Sequence, residues 1–446
     1  MARAKKEAAL TPEERLQVAL VPDWEWPYKL PGNWCWTRIT VITDILNGFA
    51  FKSQHYSSAG IRIIRITNVQ DGFIQDKKPV YYPLVSQKEI TPFMLKDGDF
   101  LMSLTGNVGR VAIIDASFLP AALNQRVACL RIKSEDSVRK EYIFYFCLQK
   151  QFVSDCIKSA KGSAQLNMST EWLKEYPIPL PPLAEQQRIV DRIKSLFAKL
   201  DEAKEKAQAV VDSFETRKAA ILHKAFTGEL TAKWREEHGV GMESWHLRTI
   251  GEVCENVKVG IVIKPSQYYV PQNEGTPAFR SANVRECRID DFDWVYLNEK
   301  GMKDNSRSIV HTGDVLVVRS GNPGTACVVP ERFDGYNAID ILIAVPNKKI
   351  IISDYLCYYT NSPLGKKTVE IGKRGIALTH FNVKGFSQMP INIPTIPEQV
   401  VIVRTLGDLF AQEQQSKEAA EAVLDQIDLM KKSILARAFR GELGTN

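Results

Sequence analysis

The sequence predicts an α+β chain in which two globular domains of mixed helix and strand accompany two long helices that pair antiparallel as a coiled coil. The main observation is an internal repeat, because residues 31–230 recur in register at about 245–443. Five pairs of landmarks set an offset of 211 to 215 residues: Trp34 and Trp245, Asn68 and Asn283, Asp99 and Asp314, Pro177 and Pro390, Phe226 and Phe439. Each half therefore holds the same elements in the same order, and with antiparallel helices the two halves are expected to be related by a pseudo-twofold axis.

Length and composition agree with two domains in one chain. A chain of 446 residues is long enough for two substantial cores, and 44 % hydrophobic with 25 % charged residues is ordinary for a globular protein. No apolar run approaches the roughly 20 residues of a membrane helix, and the basic N-terminus lacks the apolar stretch of a secretory signal. These features predict a cytoplasmic protein that does not bind a membrane. The net charge of +6 permits a nucleic-acid partner without requiring one.

The eight cysteines give no framework for disulfides or zinc. They stand at positions 35, 129, 147, 156, 254, 287, 327 and 357, with no Cys-x-x-Cys pair. We interpret them as small buried hydrophobic residues in a reducing compartment.

The elements follow in order along the chain. Residues 1–30 form an N-terminal arm, with a helix predicted from Thr11 and Pro12 to about Val21. The first globular domain covers residues 31–180 and the second covers residues 231–393. Short apolar stretches predict strands at residues 61–66, 100–104, 110–114 and 127–132, and again at 315–319, 326–329 and 342–345. Helical spacing of aromatic residues predicts one helix over 141–156 and another over 355–359.

A long helix is predicted after each globular domain, within residues 181–230 and 394–446. Core-type positions step by four and three residues, which is a heptad seam. The residues predicted to pair the helices are Ile189, Ile193, Leu196, Leu200, Val210, Phe214 and Ile221 in the first copy, and Ile402, Leu406, Leu409, Val423, Ile427 and Ile434 in the second. The second seam also runs through Glu413, Ser416, Met430 and Arg437 in this register. Gly228 and Gly441 stand where a left-handed C-cap belongs.

The two helices are expected to cover each other's apolar stripes. Antiparallel packing would place the globular domains at opposite ends, whereas parallel packing would crowd them together. In the remaining alternative, each helix pairs with a different protein.

The motifs around these helices resemble those of type I restriction-modification specificity subunits. Residues 185–190 read Glu-Gln-Gln-Arg-Ile-Val and are echoed by Glu-Gln-Val-Val-Ile-Val at 398–403, each after a proline cluster. The closing segments, Lys-Ala-Phe-Thr-Gly-Glu-Leu at 224–230 and Arg-Ala-Phe-Arg-Gly-Glu-Leu at 437–443, are similar to the same family, as is the lead-in Leu-Pro-Gly-Asn-Trp at 30–34. The resemblance covers nearly the whole chain.

The resemblance implies a non-catalytic subunit that recognises double-stranded DNA through two target-recognition domains. It also implies two modification (methyltransferase) subunits as partners, and restriction subunits beyond them. The sequence lacks an Asn-Pro-Pro-aromatic methyltransferase motif, a phosphate-binding loop and metal-ligand spacing of its histidines. These absences agree with a non-catalytic role, and the resemblance implies that S-adenosylmethionine is bound by the partner methyltransferase subunit and not by this chain. The rival interpretation is a coiled-coil assembly scaffold that does not read DNA directly.

Two repeated motifs are candidates for DNA contact. Asn107 and Asn322 lie in glycine-flanked turns, with Arg110 and Arg319 beside them. Turn formation alone explains these glycines, and the alternative is that they let the backbone approach DNA. Arg65 precedes Asn68 by three residues, just as Arg280 precedes Asn283; this pattern fits either an internal hydrogen-bond anchor or a DNA contact.

Basic, amide-rich segments before the proline clusters are the third candidate. Lysine and arginine next to glycine suit phosphate, and amides suit base edges. The candidate residues are Lys158, Lys161, Gln165 and Asn167 in the first half, and Lys373, Arg374 and Asn382 in the second. A solvated loop is the alternative. Together these observations predict a DNA-specificity subunit that recognises a bipartite, asymmetric site, with the helices as spacer and docking surface.

Overall fold

The computed structural model describes residues 17–84, 90–163, 165–374 and 381–443, and it describes side chains at all of these except 370–374. The chain divides into two compact units, Met1–Ala207 with Ala422–Asn446, and Gln208–Glu421. Each unit contains one globular domain and a part of each long helix. The helix start predicted at Thr11 and Pro12 lies outside the described residues.

The first unit is built on a four-stranded antiparallel sheet. Its strands lie in the order Thr43–Asn47, Val127–Ile132, Phe100–Ser103 and Val111–Ile113. A three-stranded sheet holds Tyr81–Tyr82, Ile61–Ile64 and Ala121–Leu123, and a two-stranded sheet pairs Cys35–Arg38 with Pro177–Leu180. The helices of this domain are Ile39–Ile42, Lys140–Cys147, Lys150–Ser159 and Thr170–Glu175.

The second unit repeats this plan. Its four-stranded antiparallel sheet has the order Cys254–Val259, Ile341–Pro346, Val315–Val318 and Ala326–Val328. Three further sheets join Tyr269–Val270, Val295–Leu297, Thr276–Phe279 and Asn337–Ala338; Val284–Arg285 and Arg288–Ile289; and His246–Thr249 and Pro390–Ile393. The helices are Ala232–Glu237, Ile250–Val253, Glu299–Asp304, Ser353–Asn361, Pro363–Arg374 and Val383–Ser387.

The predicted strands and fold class are confirmed, whereas the helix predicted over 141–156 is wrong in one respect. It is two helices, because Gln149 adopts an extended backbone (φ −65°, ψ 141°) between Lys140–Cys147 and Lys150–Ser159. The bend brings the rings of Phe146 and Phe152 to 5.7 Å from each other. The sequence has no glycine or proline at this bend, and its apolar periodicity continues through it. The pattern therefore predicts one helix instead of two.

Both long helices begin after a proline cluster, as the sequence predicts, and each cluster contains a strand that was not predicted, Pro177–Leu180 and Pro390–Ile393. The first covers Leu183–Asp212 and, after an interruption at Ser213, Phe214–Phe226; the second covers Ile396–Ala438. Gly228 and Gly441 have φ of 84° and 74°, which confirms the predicted left-handed caps.

The two helices run antiparallel within each unit. In the first unit Lys431 Nζ lies 2.5 Å from Asp201 Oδ1, and Arg188 Nη1 donates to Leu443 O over 3.3 Å. In the second unit Arg217 Nε donates to Glu413 Oε2 over 2.7 Å. Residue numbers therefore fall along one helix as they rise along the other. In both units residues of the two helices join the core of the globular domain.

In the second half of the second helix every other predicted seam position is wrong by one residue, at Ser416, Val423, Met430 and Arg437. Val423 is 40 % exposed and Met430 is 48 % exposed, and Ser416 and Arg437 are exposed too. The face that turns inward instead carries Lys417, Ala420, Leu424, Ile427, Lys431, Ile434 and Ala438. Of the other residues predicted to pair the helices, Ile189, Ile193, Ile402, Leu406 and Ile427 are buried, and the remainder are half-buried.

Two lysines explain the error in the predicted seam positions. A search for apolar residues at heptad spacing does not assign a lysine to the inward face of a helix. Lys417 Nζ lies 4.9 Å from the ring centre of Phe214, and Lys431 Nζ lies 5.1 Å from that of Phe197. Each ammonium group thus faces an aromatic ring of the opposite helix, while its alkyl chain covers apolar surface.

The repeated Glu-Gln motif has one structural role in both halves. Gln186 and Gln399 are fully buried at the start of the long helices. The amide oxygen of Gln186 accepts from Arg139 N, and its nitrogen donates to Ser137 O and Pro181 O. Gln399 makes the same three bonds to Ile352 N, Ile350 O and Pro394 O. Each glutamine therefore fastens its long helix to its globular domain through main-chain groups alone.

The glutamate of the motif differs between the halves. Glu398 is fully buried, and its carboxylate accepts from Arg235 Nη1 and Thr231 Oγ1 over 2.6 Å each and from Trp245 Nε1 over 3.1 Å. Arg235 also donates to Gly228 O over 2.6 Å. Glu185, its counterpart, is 22 % exposed in its side chain and bonds to Asn33 and Arg188.

Replacing Glu398 by alanine is expected to lower the free energy of unfolding by about 3–5 kcal/mol, because Arg235 would keep a buried charge without its partner. Glu185→Ala is the matched control, and its cost should stay within about 1 kcal/mol because that pair is solvent-accessible. Chemical denaturation of both variants measures the difference. Equal costs would show that the buried ion pair does not stabilise the second unit.

Candidate nucleic-acid interface

A tight hairpin turn forms the centre of the candidate site in the first domain. Gly106 and Gly109 have φ of 74° and 82°, between the strands Phe100–Ser103 and Val111–Ile113. Gly109 N donates to Ser103 O, and Ser103 N donates to Arg110 O. A Cβ at Gly109 would lie 3.0 Å from Cys156 Cβ, so this glycine lets the turn pack on a helix. The turn thus has a structural reason for its glycines, and it leaves Asn107 exposed.

The loop before the proline cluster docks on this turn. Gly106 N donates to Leu166 O, Met168 N donates to Leu104 O, and Lys161 and Asn167 exchange two main-chain hydrogen bonds. Thr105 Oγ1 donates to Asn167 Oδ1 over 2.6 Å, so the Asn167 side chain holds the loop to the turn. Sequence positions about 60 residues apart are in this way brought into one surface.

Several side chains of this surface are free to bind a ligand. Asn107, Lys161 and Gln165 are exposed, and in the described part of the first domain no side-chain hydrogen bond or ion pair engages them. Lys158 is exposed as well, with Asp155 Oδ1 3.7 Å from its Nζ. A primary ammonium group and carboxamides at the rim of one turn provide donors for phosphate and both donors and acceptors for base edges.

The second domain repeats the turn with different contacts. Gly321 and Gly324 have φ of 84° and 88°, and Asn322 is exposed. Arg319 is not free, because its Nε donates to Phe381 O over 3.1 Å and its Nη1 lies 2.5 Å from Asp340 Oδ1. Arg110 of the first domain is also engaged, with Nη1 donating to Gln70 Oε1 over 2.9 Å.

The expected loop around Lys373 and Arg374 is helical instead, because Pro363–Arg374 is one helix. The side chains of these two residues, and all of Gly375 to His380, lie outside the described part of the chain. Asn382 caps the helix Val383–Ser387, since its Oδ1 accepts from Gly385 N over 2.8 Å. Its counterpart by offset is Ser169, which caps the helix Thr170–Glu175 in the same way.

The repeated arginine and asparagine pair is an internal anchor. Asn68 and Asn283 are buried, and each accepts from the main-chain N–H three residues before it, at Arg65 and Arg280. Arg65 Nη2 donates to Lys78 O and Arg280 Nη2 to Asp293 O, both 13 residues downstream. The side-chain amides of Asn68 and Asn283 are buried and occupied by these internal hydrogen bonds. The hypothesis that they contact DNA is therefore wrong for these two residues. Arg65 and Arg280 each use their Nη2 in these internal bonds.

Sequence reasoning missed exposed polar residues in two places, one beside the turn and one in a pair of repeated loops. Gln125 and Arg126 are exposed, and Arg126 O accepts from Leu104 N, next to the turn. Lys52 and Lys264 are exposed in loops that begin at Gly48 and Gly260. A Cβ at Gly48 or Gly260 would lie 2.2 or 2.3 Å from a carbonyl oxygen, so both loops need glycine to approach the neighbouring strand. The spacing Gly-x-x-x-Lys recurs in both halves of the sequence, so the internal repeat could have identified these two lysines.

The described residues offer no cluster of three or more histidine, cysteine, aspartate or glutamate side chains that could hold a metal ion. Within the same residues, no helix is both long and apolar enough to cross a membrane.

Comparison with known proteins gives a consistent result. The family model of the type I restriction modification DNA specificity domain matches twice, at residues 31–211 and 242–423. The chain is 27 % identical to the EcoBI specificity subunit of Escherichia coli, over 92 % of this chain and 86 % of that protein. It is 24 % identical to the EcoKI specificity subunit of Escherichia coli strain K12, over 93 % and 90 %.

Solved structures share the fold. The HsdS subunit from Thermoanaerobacter tengcongensis matches with a TM-score of 0.64 at 19 % identity, over 94 % of this chain and 100 % of that one. A chain from a structural study of type I restriction-modification complex assembly matches with a TM-score of 0.67, also at 19 % identity, over the same shares of both chains.

Proposed function

The chain belongs to the type I restriction-modification specificity subunits, a family of non-catalytic DNA-recognition subunits, and from that premise we propose that it reads a bipartite DNA site. Each globular domain would read one half-site. The observation that carries the proposal is the surface of the first domain, where Asn107, Lys161 and Gln165 stand exposed together around the turn at Gly106.

The two halves present different side chains on the same framework, which supports an asymmetric site. By the repeat offset, Leu104 of the first domain corresponds to Arg319 of the second, and the exposed Arg126 corresponds to Asp340. In the second domain Asp340 forms an ion pair with Arg319. Asn107 and Asn322 are common to the two turns, whereas in sequence Lys161 and Gln165 belong to the first domain and Lys373 and Arg374 to the second. With such different donors, the two domains would favour different bases.

The partners follow from the same proposal. Two modification subunits would dock on the specificity subunit, with restriction subunits beyond them, and S-adenosylmethionine would be bound by the modification subunits. The long helices would serve as spacer and docking surface. In this arrangement the chain supplies DNA recognition and positioning, and its partners supply the chemistry.

Two substitutions in the first domain test DNA reading. Lys161→Ala should weaken binding to all sequences and reduce the slope of log affinity against log salt by about one, since one phosphate contact is lost. Gln165→Ala should cost about 1–3 kcal/mol on the cognate site alone. Binding of the complex with its modification subunits to cognate and scrambled duplexes, measured across a salt series, separates the two effects.

Lys199→Ala is the control for charge, because Lys199 lies on the exposed face of the first long helix. It should leave the salt slope unchanged. If both lysine variants behaved alike, the loop at Lys161 would not be a phosphate contact. If the Lys161→Ala and Gln165→Ala variants bound DNA normally but failed to assemble with modification subunits, the scaffold interpretation would replace this one.

A further inference from the structure

Two cysteines of the second unit lie in contact. Cys287 Sγ and Cys357 Sγ are 3.7 Å apart. Both cysteines also contact the carbonyl oxygen of Ala326. This oxygen accepts from the main-chain N of Cys287 over 2.9 Å and from Cys357 Sγ over 3.4 Å. Cys287 belongs to the exposed turn between Val284–Arg285 and Arg288–Ile289, whereas Cys357 is buried in the helix Ser353–Asn361. The expectation that all cysteines are buried hydrophobic residues is thus wrong for Cys287.

The surroundings of Cys287 stabilise a thiolate. The hydrogen bond from the Cys357 thiol lowers the pKa of Cys287, and the charge of Lys218 and a hydrogen bond from Asn361 add to this effect. Burial and the charge of Glu286 oppose it, and the net direction is a lowered pKa. Asn361 Nδ2 lies 3.4 Å from Cys287 Sγ and 3.6 Å from Cys357 Sγ. Lys218 Nζ is held close by, 2.7 Å from Glu286 Oε2. A thiol with these neighbours is more nucleophilic at neutral pH than an ordinary cysteine.

Cys287 also lies at a cavity that is open to solvent. An open cavity of about 420 Å³ is lined by Cys287, Cys357, Arg288, Arg332, Asp354 and Tyr358. Cys287 adopts φ of 55°, which is uncommon for a residue other than glycine, asparagine or aspartate. Because Cys287 lines this cavity, a small oxidant can approach its side chain.

We propose that Cys287 is a site of oxidation by peroxides and that Cys357 resolves it as a disulfide within the second globular domain. The Cys287 thiolate attacks one peroxide oxygen, the O–O bond breaks, and the departing hydroxide takes a proton to form water. Cys287 is then a sulfenic acid. The Cys357 thiol gives up its proton and attacks Cys287 Sγ; the S–O bond breaks, and a second water leaves. The sulfurs must approach from 3.7 Å to the roughly 2.05 Å of a disulfide, a shift within reach of the turn.

A competition within one molecule tests the reactivity. Cys35 is the other cysteine that is not fully buried, and burial raises its pKa. When the intact folded protein is treated with limiting iodoacetamide at neutral pH, Cys287 should be alkylated at least about tenfold faster than Cys35. Equal rates, or a faster Cys35, would overturn the proposal.

Hydrogen peroxide tests the link itself. After oxidation, blocking and tryptic digestion, the tripeptide Glu286-Cys287-Arg288 should appear joined to the peptide Ile350–Lys366, and dithiothreitol should separate them. In a folded Cys357→Ala variant the same treatment should leave Cys287 as a sulfenic acid that dimedone traps, and in Cys287→Ser neither product should form. A wild-type protein that stays folded in peroxide without forming the joined peptides would disprove the disulfide.

Discussion

Exchanging the second globular domain for that of another specificity subunit is expected to replace one half of the recognised DNA site and leave the other half unchanged. The structure defines the segment to exchange. Strands His246–Thr249 and Pro390–Ile393 pair with each other, so both ends of the domain meet in one small sheet. Exchanging residues 246–393 keeps this pair together, whereas a cut at residue 390 would divide it. Methylation mapping of the chimeric complex measures the outcome.

The junctions should tolerate the exchange where the surrounding chain contacts main-chain groups, and the incoming domain must supply similar apolar residues where the two helices join its core. Gln399 bonds to Ile350 O and Ile352 N, which any incoming sequence with the same backbone provides. The reciprocal control is an exchange of residues 35–180, where Cys35–Arg38 pairs with Pro177–Leu180 and Gln186 contacts main-chain groups in the same way. That exchange should alter the opposite half-site. A chimera in which both half-sites or neither changed would contradict the division of reading between the domains.

The sequence predicts the fold well because the repeat and the apolar periodicity are strong signals. The errors in the predicted helix seam have one physical cause. Whether a side chain lies on the inward face depends on which residues it contacts in the folded protein. Lys417 and Lys431 occupy seam positions because Phe214 and Phe197 face them, and that pairing joins residues about 200 positions apart. Val423 and Met430 fit the apolar rhythm but lie on the outer face.

The candidate site was predicted less completely than the fold. A polar residue that recurs in both halves can anchor a turn or contact a ligand, and the sequence pattern is the same in both cases. Asn68 and Asn283 are buried anchors, while Lys161 and Gln165 are exposed on a loop that docks against the turn. Arg126 was missed because a single exposed arginine after a strand carries no pattern of its own. Its place beside Leu104 is visible only after the strands pair.

Lengthening both long helices by one matched heptad is expected to widen the gap between the two half-sites. The antiparallel register, in which Asp201 meets Lys431, indicates that residues 200–206 and 426–432 occupy the same level. Duplicating both segments repeats this ion pair and keeps the seam facing inward. Seven residues add about 10 Å at 1.5 Å per residue, and at about 3.4 Å per base pair the gap should grow by up to about three base pairs.

The half-site sequences should stay fixed in this variant, because the insertion lies outside both globular domains, and methylation mapping of the reconstituted complex reads the gap and the half-sites together. Duplicating residues 200–206 alone is the control. With one helix longer than its partner, seam residues beyond the insertion lose their register, so this variant should unfold at a lower temperature or denaturant concentration than the matched one. The test requires a matched variant that is still active. If its gap is wider, the paired helices set the spacing of the two half-sites. If its gap is unchanged, the helices serve only as a docking surface for partner subunits.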